Sequence, residues 1–266
     1  MTNPADTTAT TSDARRAAPR VAFVTGGAQG IGSAIAGRLA RQCSAVVIGD
    51  LNEAGAEEVS KGLRDEYGVD SHAVRLDVTD SDSVRTAAEE TLRLCDRIDV
   101  LVNNAGISND GPSLEQSDEL WDRTLRVNLT GAFYGAREFG RHMQAGGAIV
   151  NISSIAALAT TQPERHVGYD VSKAGIIALT RTLGVEWADR GIRVNAVAPG
   201  YTDTAILREV GSSDPAVLEQ WLSQVPQRRL IDPADIAEVV AFLASDKAAA
   251  ITGQLVIADG GWSASA

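Results

Sequence analysis

The residues best suited to chemistry in this sequence are Tyr169 and Lys173, which stand four positions apart. Helical spacing places such side chains on one face, so the Lys173 ammonium can lie near the Tyr169 phenol. A nearby positive charge lowers the pKa of a phenol because it favours the phenolate. The pair therefore predicts a general base that takes the proton of an alcohol while a hydride leaves its carbon, or a general acid in the reverse direction.

A hydroxyl that orients the same substrate oxygen is predicted at the end of an apolar stretch, where Ser153 and Ser154 stand side by side. A serine there can donate or accept a hydrogen bond at that oxygen. Taken singly, Ser154 would also suit a loop or helix cap, Tyr169 a packing position and Lys173 a solvated helix surface. The three residues together favour catalysis.

A second chemical signal is the stretch from Val21 to Gly32, VAFVTGGAQGIG, in which an apolar run meets a cluster of glycines. Helical apolar spacing resumes at Ile31, which indicates a strand, a tight turn and a helix. Glycines let backbone N–H groups approach a bound group, and the helix directs its positive N-terminal end to the same place. The stretch predicts a pyrophosphate site, although glycine turns also arise from packing alone.

Strands alternate with helices along the rest of the chain, and polar residues follow the strands. After the first strand, buried strands are predicted at residues 45–49, 72–76, 99–103, 148–152, 192–197 and 254–257. Further helices are predicted at residues 52–67, 80–95, 117–143, 169–188 and 233–243, with one or two short helices over the strand ends in residues 201–230. The alternation predicts an α/β fold, a single Rossmann-type doubly wound seven-stranded parallel sheet with helices on both faces and ligands at the carboxyl ends of the strands.

The composition bounds the class of protein and its partners. Residues 20–266 are predicted as one dinucleotide-binding catalytic domain, and residues 1–19 as a disordered extension that lacks the apolar core of a signal peptide. The net charge of −11 argues against nucleic acid or an anionic membrane as a partner. No apolar run is long enough to span a membrane, and a cytoplasmic location is expected.

The cysteine count predicts neither a disulfide framework nor a metal site. Cys43 and Cys95 are the two cysteines, and each falls in an apolar helical pattern. Such positions predict buried thiols in a reducing compartment, so the sequence predicts no metal centre.

Several motifs occur in a fixed order: TGGAQGIG at Thr25–Gly32, NNAG at Asn103–Gly106, Asn128, Ser154, YDVSK at Tyr169–Lys173 and PGYTDT at Pro199–Thr204. Together they resemble the short-chain dehydrogenase/reductase family, and the resemblance extends from Val21 to Gly261. It implies that Asn128, Ser154, Tyr169 and Lys173 are catalytic. It also implies that the second serine of the pair is the active one, that Lys173 holds the nicotinamide ribose and that Asn128 supports a water chain to solvent.

The same resemblance implies a cofactor site and an assembly. Asp77 would contact the adenine amino group, Val78 would pack on the adenine ring, and Thr202 and Thr204 would hold the carboxamide. The implied cofactor-binding residues are Gly26, Gln29, Gly30, Ile31, Gly32, Asp50, Leu51, Asp77, Val78, Asn104, Ala105, Gly106, Tyr169, Lys173, Pro199, Gly200, Thr202 and Thr204. A homotetramer is expected, and Phe133, Ile177 and Leu183 are predicted as exposed apolar residues compatible with subunit contacts.

The choice of dinucleotide is predicted from Asp50, at the end of the second strand. A carboxylate there can accept hydrogen bonds from both hydroxyls of the adenosine ribose and would repel the 2′-phosphate of NADP. No lysine or arginine lies between Gly26 and Gly32, and Leu51 follows Asp50, so nothing compensates that charge. NAD is the predicted cofactor, and a role of Asp50 in capping the next helix is compatible with it.

The substrate is less well defined. The interval from Ser154 to Tyr169 is longer than is usual in the family, so residues 155–168 are predicted to border the substrate. Glu164, Arg165 and His166 would then bind a hydroxylated or charged substrate, the alternative being a polar surface loop. The chain is similar to NAD-dependent polyol and secondary-alcohol dehydrogenases, with residues 201–230 covering the substrate. An NADP-linked carbonyl or 3-oxoacyl reductase and a non-catalytic NAD-binding protein are the alternatives.

Overall fold

The computed structural model describes residues 20–265, apart from the side chain of Ile206. The extension predicted for residues 1–19 lies outside the described residues. Seven parallel strands form one sheet in the order β3-β2-β1-β4-β5-β6-β7. The strands are β1 Val21–Thr25, β2 Ala45–Asp50, β3 Asp70–Arg75, β4 Val100–Asn103, β5 Ala148–Ile152, β6 Arg193–Pro199 and β7 Leu255–Ala258. The predicted fold class is confirmed.

Helices cover both faces of the sheet, because each strand exposes alternate side chains to opposite sides. The helices are α1 Gly30–Ala40, α2 Glu53–Tyr67, α3 Ser81–Cys95, α4 Asp118–Leu125, α5 Gly131–Gly140, α6 Val167–Glu186, α7 Ala205–Ser213, α8 Pro215–Gln224, α9 Pro233–Ala244 and α10 Trp262–Ser265. On one face Val24 packs in a core with Ile35 of α1 and Ile236 of α9. On the other face Phe23 packs in a core with Phe139 of α5.

The strand order reverses between β1 and β4, and this reversal sets the position of the site. β1 pairs with β2 on one side and with β4 on the other, with Phe23 opposite both Val47 and Leu101. The connections after β1 and after β4 therefore leave the sheet in opposite directions and open a crevice at the carboxyl ends of these strands.

The helix predicted over residues 117–143 forms from Asp118 to Gly140, but the predicted regular α-helix is interrupted. Helix α4 is followed by a π-helical segment, Arg126–Thr130, and then by α5, which ends at Gly140. The apolar pattern continues across the segment, so periodicity alone does not reveal the widened turn. The π-helical segment contains Asn128, which sequence analysis placed near the middle of that helix.

Three smaller predictions about burial and secondary structure also differ from the structure. Cys43 is buried but lies in the turn after α1, outside any helix, and Cys95 is half-buried at the end of α3. Ile177 and Leu183 are only 8% and 6% exposed, because they face the core, whereas Phe133 is 39% exposed.

Among the described residues, no helix is both long and apolar enough to cross a membrane.

Candidate active site

A cavity of about 760 Å³ opens at the carboxyl ends of the strands. Its walls contain every residue that the sequence predicts for the site except Asn128 and Arg165. The fold therefore gathers residues from the whole length of the chain, from the glycine turn to the segment after β6, around one space. That space has a cofactor side near α1 and a substrate side near residues 161–166, α7 and α8.

The glycine turn between β1 and α1 provides an uncapped helix N-terminus. Gly26 and Gly30 have φ values of 63° and 58°, a backbone region in which glycine is favoured. A Cβ atom at Gly32 would overlap the carbonyl oxygen of Gly26 and the side-chain amide of Asn104. Gln29, at the N-cap, makes no side-chain capping bond. The free N–H groups and the positive helix end fit a pyrophosphate.

Asp50 ends β2 beside this turn and holds two backbone groups in place. One carboxylate oxygen accepts from Ala28 N at 3.1 Å and the other from Asn52 N at 2.9 Å. Asn52 itself caps α2, so the capping role considered for Asp50 belongs to its neighbour. A carboxylate has about four acceptor positions, which leaves room for the two hydroxyls of a ribose. Leu51 beside it is 58% exposed.

Asp77 and Val78 also line the cavity. One carboxylate oxygen of Asp77 accepts from the backbone N–H and the hydroxyl of Thr79, at 2.9 and 2.7 Å. Val78 is buried and packs closely against Gly131. Asp77 therefore closes a local turn, and its second carboxylate oxygen remains available to accept a hydrogen bond from an adenine amino group.

Tyr169 lies in the first turn of α6, beside Ser154. The hydroxyl of Ser154 lowers the pKa of the phenol, and its oxygen accepts from Ala156 N at 3.2 Å. Ser153, by contrast, donates to the backbone carbonyl of Lys173 at 2.9 Å, so its hydroxyl belongs to the helix. Ser154 is thus the member of the serine pair that faces the phenol.

The pKa of Tyr169 differs from the sequence-based expectation that Lys173 lowers it. Burial raises the pKa of the phenol, the Ser154 hydroxyl offsets part of that effect, and the charge of Asp170 adds to it. Burial also lowers the pKa of Lys173 to about 8. Desolvation therefore outweighs the attraction between the two charges, because removal of water disfavours both ions.

Asn128 organises the loop that separates it from Lys173. Its side-chain oxygen accepts from Ile107 N at 2.8 Å, and its amide donates to Ile107 O at 2.9 Å and to Ser172 Oγ at 3.0 Å. A Cβ atom at Gly106 would approach both Lys173 Nζ and Asn128 Oδ1. Asn128 is buried outside the cavity wall, and all of its side-chain polar atoms are engaged in positioning.

The segment after β6 borders the same cavity. Pro199 ends β6, and a Cβ atom at Gly200 would meet the backbone of Asp259. Thr202 donates through its hydroxyl to Gly200 O at 2.9 Å, which directs its side chain to the backbone. Thr204 caps α7, where its hydroxyl oxygen accepts from Leu207 N.

The substrate side is lined by residues of the long segment 155–168. His166 is buried, with its Nδ1 atom 2.6 Å from Asp170 Oδ1 and its ring 5.1 Å from the ring of Tyr169. Glu164 accepts hydrogen bonds from Trp221 and from Tyr201. Both His166 and Glu164 face the cavity, as predicted, whereas Arg165 is exposed and lies outside its wall.

Comparisons with known proteins agree with this geometry. A family model described as Enoyl-(Acyl carrier protein) reductase matches residues 26–263. A cis-4-hydroxycyclohexanecarboxylate dehydrogenase of Sinomonas cyclohexanicum is 43% identical over 250 residues, which are 93% of this chain and 98% of the relative. The chain belongs to the short-chain dehydrogenase/reductase family. It is therefore an oxidoreductase of alcohol or ketone groups that uses a nicotinamide cofactor.

Other members of the family act on different substrates. A D-threitol dehydrogenase of Mycolicibacterium smegmatis is 39% identical and covers 91% of this chain and 92% of its own length. A 3-oxoacyl-[acyl-carrier-protein] reductase of Aquifex aeolicus is also 39% identical, with 91% and 96% covered. A solved dehydrogenase/reductase from Sinorhizobium meliloti superposes with a TM-score of 0.86 at 35% identity, covering 92% of this chain and 95% of that one.

Thr25 and Asn104 connect β1 to the loop after β4 in this short-chain dehydrogenase/reductase. The sequence did not assign a structural role to either side chain. Thr25 accepts through its hydroxyl from the backbone N–H groups of Asn104 and Ala105, both at 3.0 Å. The Asn104 amide donates back to Thr25 O and Gly26 O. Both residues fall inside motifs, so their presence was visible, but only the pairing of β1 with β4 reveals the contact.

A cluster of possible metal ligands lies away from the cavity. Donor atoms of Asp70, His72 and Cys95 are all within 4.8 Å of one another at the β3 edge of the sheet. Asp70 and His72 already form an ion pair at 3.1 Å. Burial and the charge of Asp70 raise the pKa of Cys95 to about 11, which disfavours the thiolate that binds metals. The absence of a metal centre stays a prediction.

Proposed function

We propose that this enzyme transfers a hydride between NAD and a secondary alcohol or ketone, with Tyr169 as the general base or acid. The observation that carries the proposal is the convergence of Ser154, Tyr169 and Lys173 on one cavity that also contains an uncapped glycine-rich helix N-terminus. A packing role for these polar residues would not require them to face an open space. A non-catalytic NAD-binding protein would have no use for the buried phenol and ammonium.

The roles of the residues follow from their contacts. Ser154 hydrogen-bonds the substrate oxygen and holds it beside the Tyr169 phenol. Tyr169 takes the hydroxyl proton in oxidation and returns it in reduction. NAD, when bound, supplies the carbon that accepts the hydride and a positive charge in its oxidised form. Lys173, fixed by a 2.9 Å bond to Ile152 O, adds positive charge that favours the phenolate against the effect of burial.

The contacts of Lys173 and Asn128 support further roles that we propose for these two residues. Lys173 has further ammonium hydrogens for a ribose hydroxyl, since Ile152 uses one of the three. Asn128 is bonded to Ile107 and thereby fixes the loop, so that Gly106 lies between the Asn128 side chain and the Lys173 ammonium. We propose that a proton leaves Tyr169 by way of Lys173 and water near Asn128.

NAD is proposed over NADP because Asp50 brings an uncompensated negative charge to the ribose position. In the described chain, Lys173 and Arg123 are the lysine and arginine side chains on the cavity wall, and neither belongs to β2 or the glycine turn. A 2′-phosphate would be repelled there. The alternative, an NADP-linked reductase of 3-oxoacyl groups, rests on similarity to the acyl-carrier-protein reductase described above. Comparable rates with both cofactors would favour that alternative.

For the substrate we propose a cyclic alcohol, a sugar or a polyol. Two relatives, by their names, act on cis-4-hydroxycyclohexanecarboxylate and on D-threitol. The substrate side of the cavity combines aromatic and aliphatic walls with a few polar groups, as sites for small alcohols do. Residues 201–230, which include α7 and α8, are proposed to cover the substrate.

The test of the proposal is NADH formation, followed by absorbance, across polyols, cyclic diols, aryl alcohols and hydroxy acids. Turnover of at least one secondary alcohol with NAD is expected. Failure with every alcohol, together with reduction of an acyl thioester by NADPH, would contradict the proposal and support the alternative.

A homotetramer is proposed for the assembly. The proposal rests on the resemblance to the family, and the exposed apolar side chains of Phe133 on α5 and Val185 on α6 are compatible with subunit contacts. Light scattering coupled to gel filtration would give a mass four times that of one chain, and a monomeric mass would contradict the proposal.

A further inference from the structure

Glu164 stands out on the substrate side because two buried aromatic residues hold its carboxylate. The indole N–H of Trp221 donates to one oxygen, and the hydroxyl of Tyr201 lies 3.3 Å from the other. Tyr201 also lies 3.2 Å from Gln162 O, so its proton has a second acceptor. Trp221 and Tyr201 are 4% and 7% exposed. The carboxylate is thus fixed at the cavity wall before a substrate binds.

The Glu164 carboxylate can accept further hydrogen bonds. An ionised carboxylate only accepts, and it offers about four acceptor positions. The protein contributes two donors, which leaves acceptor positions for a substrate. A hydroxyl can fill one of them, whereas a substrate carboxylate would meet like charge.

The surroundings of Glu164 fit a substrate with an apolar body. The rings of Trp221 and Tyr201 stack, with centroids 5.3 Å apart and planes inclined by 22°. Val217 and Leu207 extend this apolar wall. An aromatic surface beside a fixed acceptor suits a carbon ring or chain that carries a hydroxyl at its far end.

The negative charge of Glu164 raises the pKa of two neighbouring groups on the substrate side of the cavity. After burial, the Glu164 charge is the next cause that raises the pKa of the Tyr201 phenol. It also contributes to the raised pKa of Asp170, behind burial. The arginine on the cavity wall, Arg123, is solvent-exposed, and the imidazole of His166 is already paired with Asp170. Among the described residues of the cavity wall, Lys173 is the buried cation, and it lies beside Tyr169, so an anionic group next to Glu164 would have only the exposed Arg123 as a further lysine or arginine partner.

We propose that Glu164 is a specificity-determining residue that accepts a hydrogen bond from a second hydroxyl of a neutral diol or polyol and excludes substrate carboxylates. The inference rests on the proposed dehydrogenase function, since the first oxygen is the one held by Ser154 and Tyr169. It narrows the substrate class to compounds with two hydroxyls, one reacting and one recognised.

The test compares Glu164→Gln with the wild type, using NAD with cyclohexanediol, threitol, cyclohexanol and hydroxycyclohexanecarboxylate. Glutamine keeps an acceptor for Trp221, and its amide can donate to Tyr201 while that hydroxyl donates to Gln162 O, so the loop retains its bonds. The KM for the two neutral polyols should rise about tenfold with little change in kcat, because a hydrogen bond to a charged group is lost. The kcat/KM for cyclohexanol should be unchanged, and that for the carboxylate should rise.

Trp221→Phe is the matched control, because it removes the indole donor and leaves the charge of Glu164. It should affect all four substrates alike. An equal loss for all four with Glu164→Gln would overturn the inference and make Glu164 a structural link between loop and helix. An equal change of substrate selectivity in both variants would also overturn the inference, since the shape of the cavity and not the charge of Glu164 would then determine selectivity.

A measurement on the wild type keeps the inference testable if the variant does not fold. The wild type should oxidise cyclohexanediol with a higher kcat/KM than the hydroxycyclohexanecarboxylate, and the opposite order would overturn the inference. Turnover of none of the four compounds would instead count against the proposed function, and the inference would fall with it.

Discussion

The ammonium of Lys173 lies 5.5 Å from the centre of the Tyr169 ring while it donates to Ile152 O. The hydrogen bond to Ile152, in β5, thus fixes the Lys173 ammonium at one distance from the Tyr169 ring. Both side chains belong to α6, and the neighbouring strand holds the ammonium in place. The relationship explains how a pair four residues apart on a helix can form a defined catalytic unit rather than two mobile side chains.

The buried ammonium should make stability depend on pH. The pKa of Lys173 is about 8 in the folded chain against 10.5 for the free side chain, so the unfolded chain binds more protons between these values. The contribution of Lys173 to stability should therefore rise with pH across that window, by up to about 3 kcal/mol. Urea denaturation of the wild type and of Lys173→Met, without cofactor, gives the difference at each pH. Parallel curves for the two proteins would contradict the expectation.

Gly32→Ala should damage the cofactor side. The added methyl group would overlap Gly26 O and the Asn104 amide, so we expect a loss of about 1 to 3 kcal/mol in the free energy of unfolding together with weaker NADH binding. Gly62→Ala is the control, because its Cβ atom in α2 would meet nothing within 4 Å. That substitution should stabilise the chain by about 0.5 to 1 kcal/mol. Similar effects of both variants on NADH affinity would argue against the pyrophosphate site.

Asp50→Asn should weaken the discrimination between cofactors. The substitution removes the negative charge but keeps one acceptor for the neighbouring N–H groups, so the ratio of kcat/KM for NAD over NADP should fall about tenfold or more. Asp77→Asn serves as the control, since Thr79 already binds that carboxylate, and the ratio should stay the same. An unchanged ratio in Asp50→Asn would remove the basis for assigning NAD.

Much of the fold and of the candidate site could be predicted from local patterns. The seven strands were recognisable because their apolar residues form short runs rich in branched side chains, and residues after a strand meet at one edge of a parallel sheet. That rule alone placed Asp50, Asp77 and Ser154 on one cavity.

What could not be predicted depends on contacts between distant parts of the chain. The π-helical segment around Asn128 keeps an apolar pattern, and the Asn128 side chain is bonded to Ile107 and Ser172, which are distant in sequence. The bond from Trp221 to Glu164 links residues 57 positions apart. The raised pKa of Tyr169 comes from burial, a property of the folded cavity and not of the spacing to Lys173.

The central claim is that the Tyr169 hydroxyl moves the proton in the reaction. Tyr169→Phe keeps the ring against His166 and removes only that hydroxyl. The decisive measurement is NADH formation by this variant from an alcohol that the wild type oxidises, alongside NADH binding followed by fluorescence. A fall in kcat of about a hundredfold to ten-thousandfold with unchanged NADH affinity is the predicted result. Turnover at the wild-type rate would contradict the proposed mechanism.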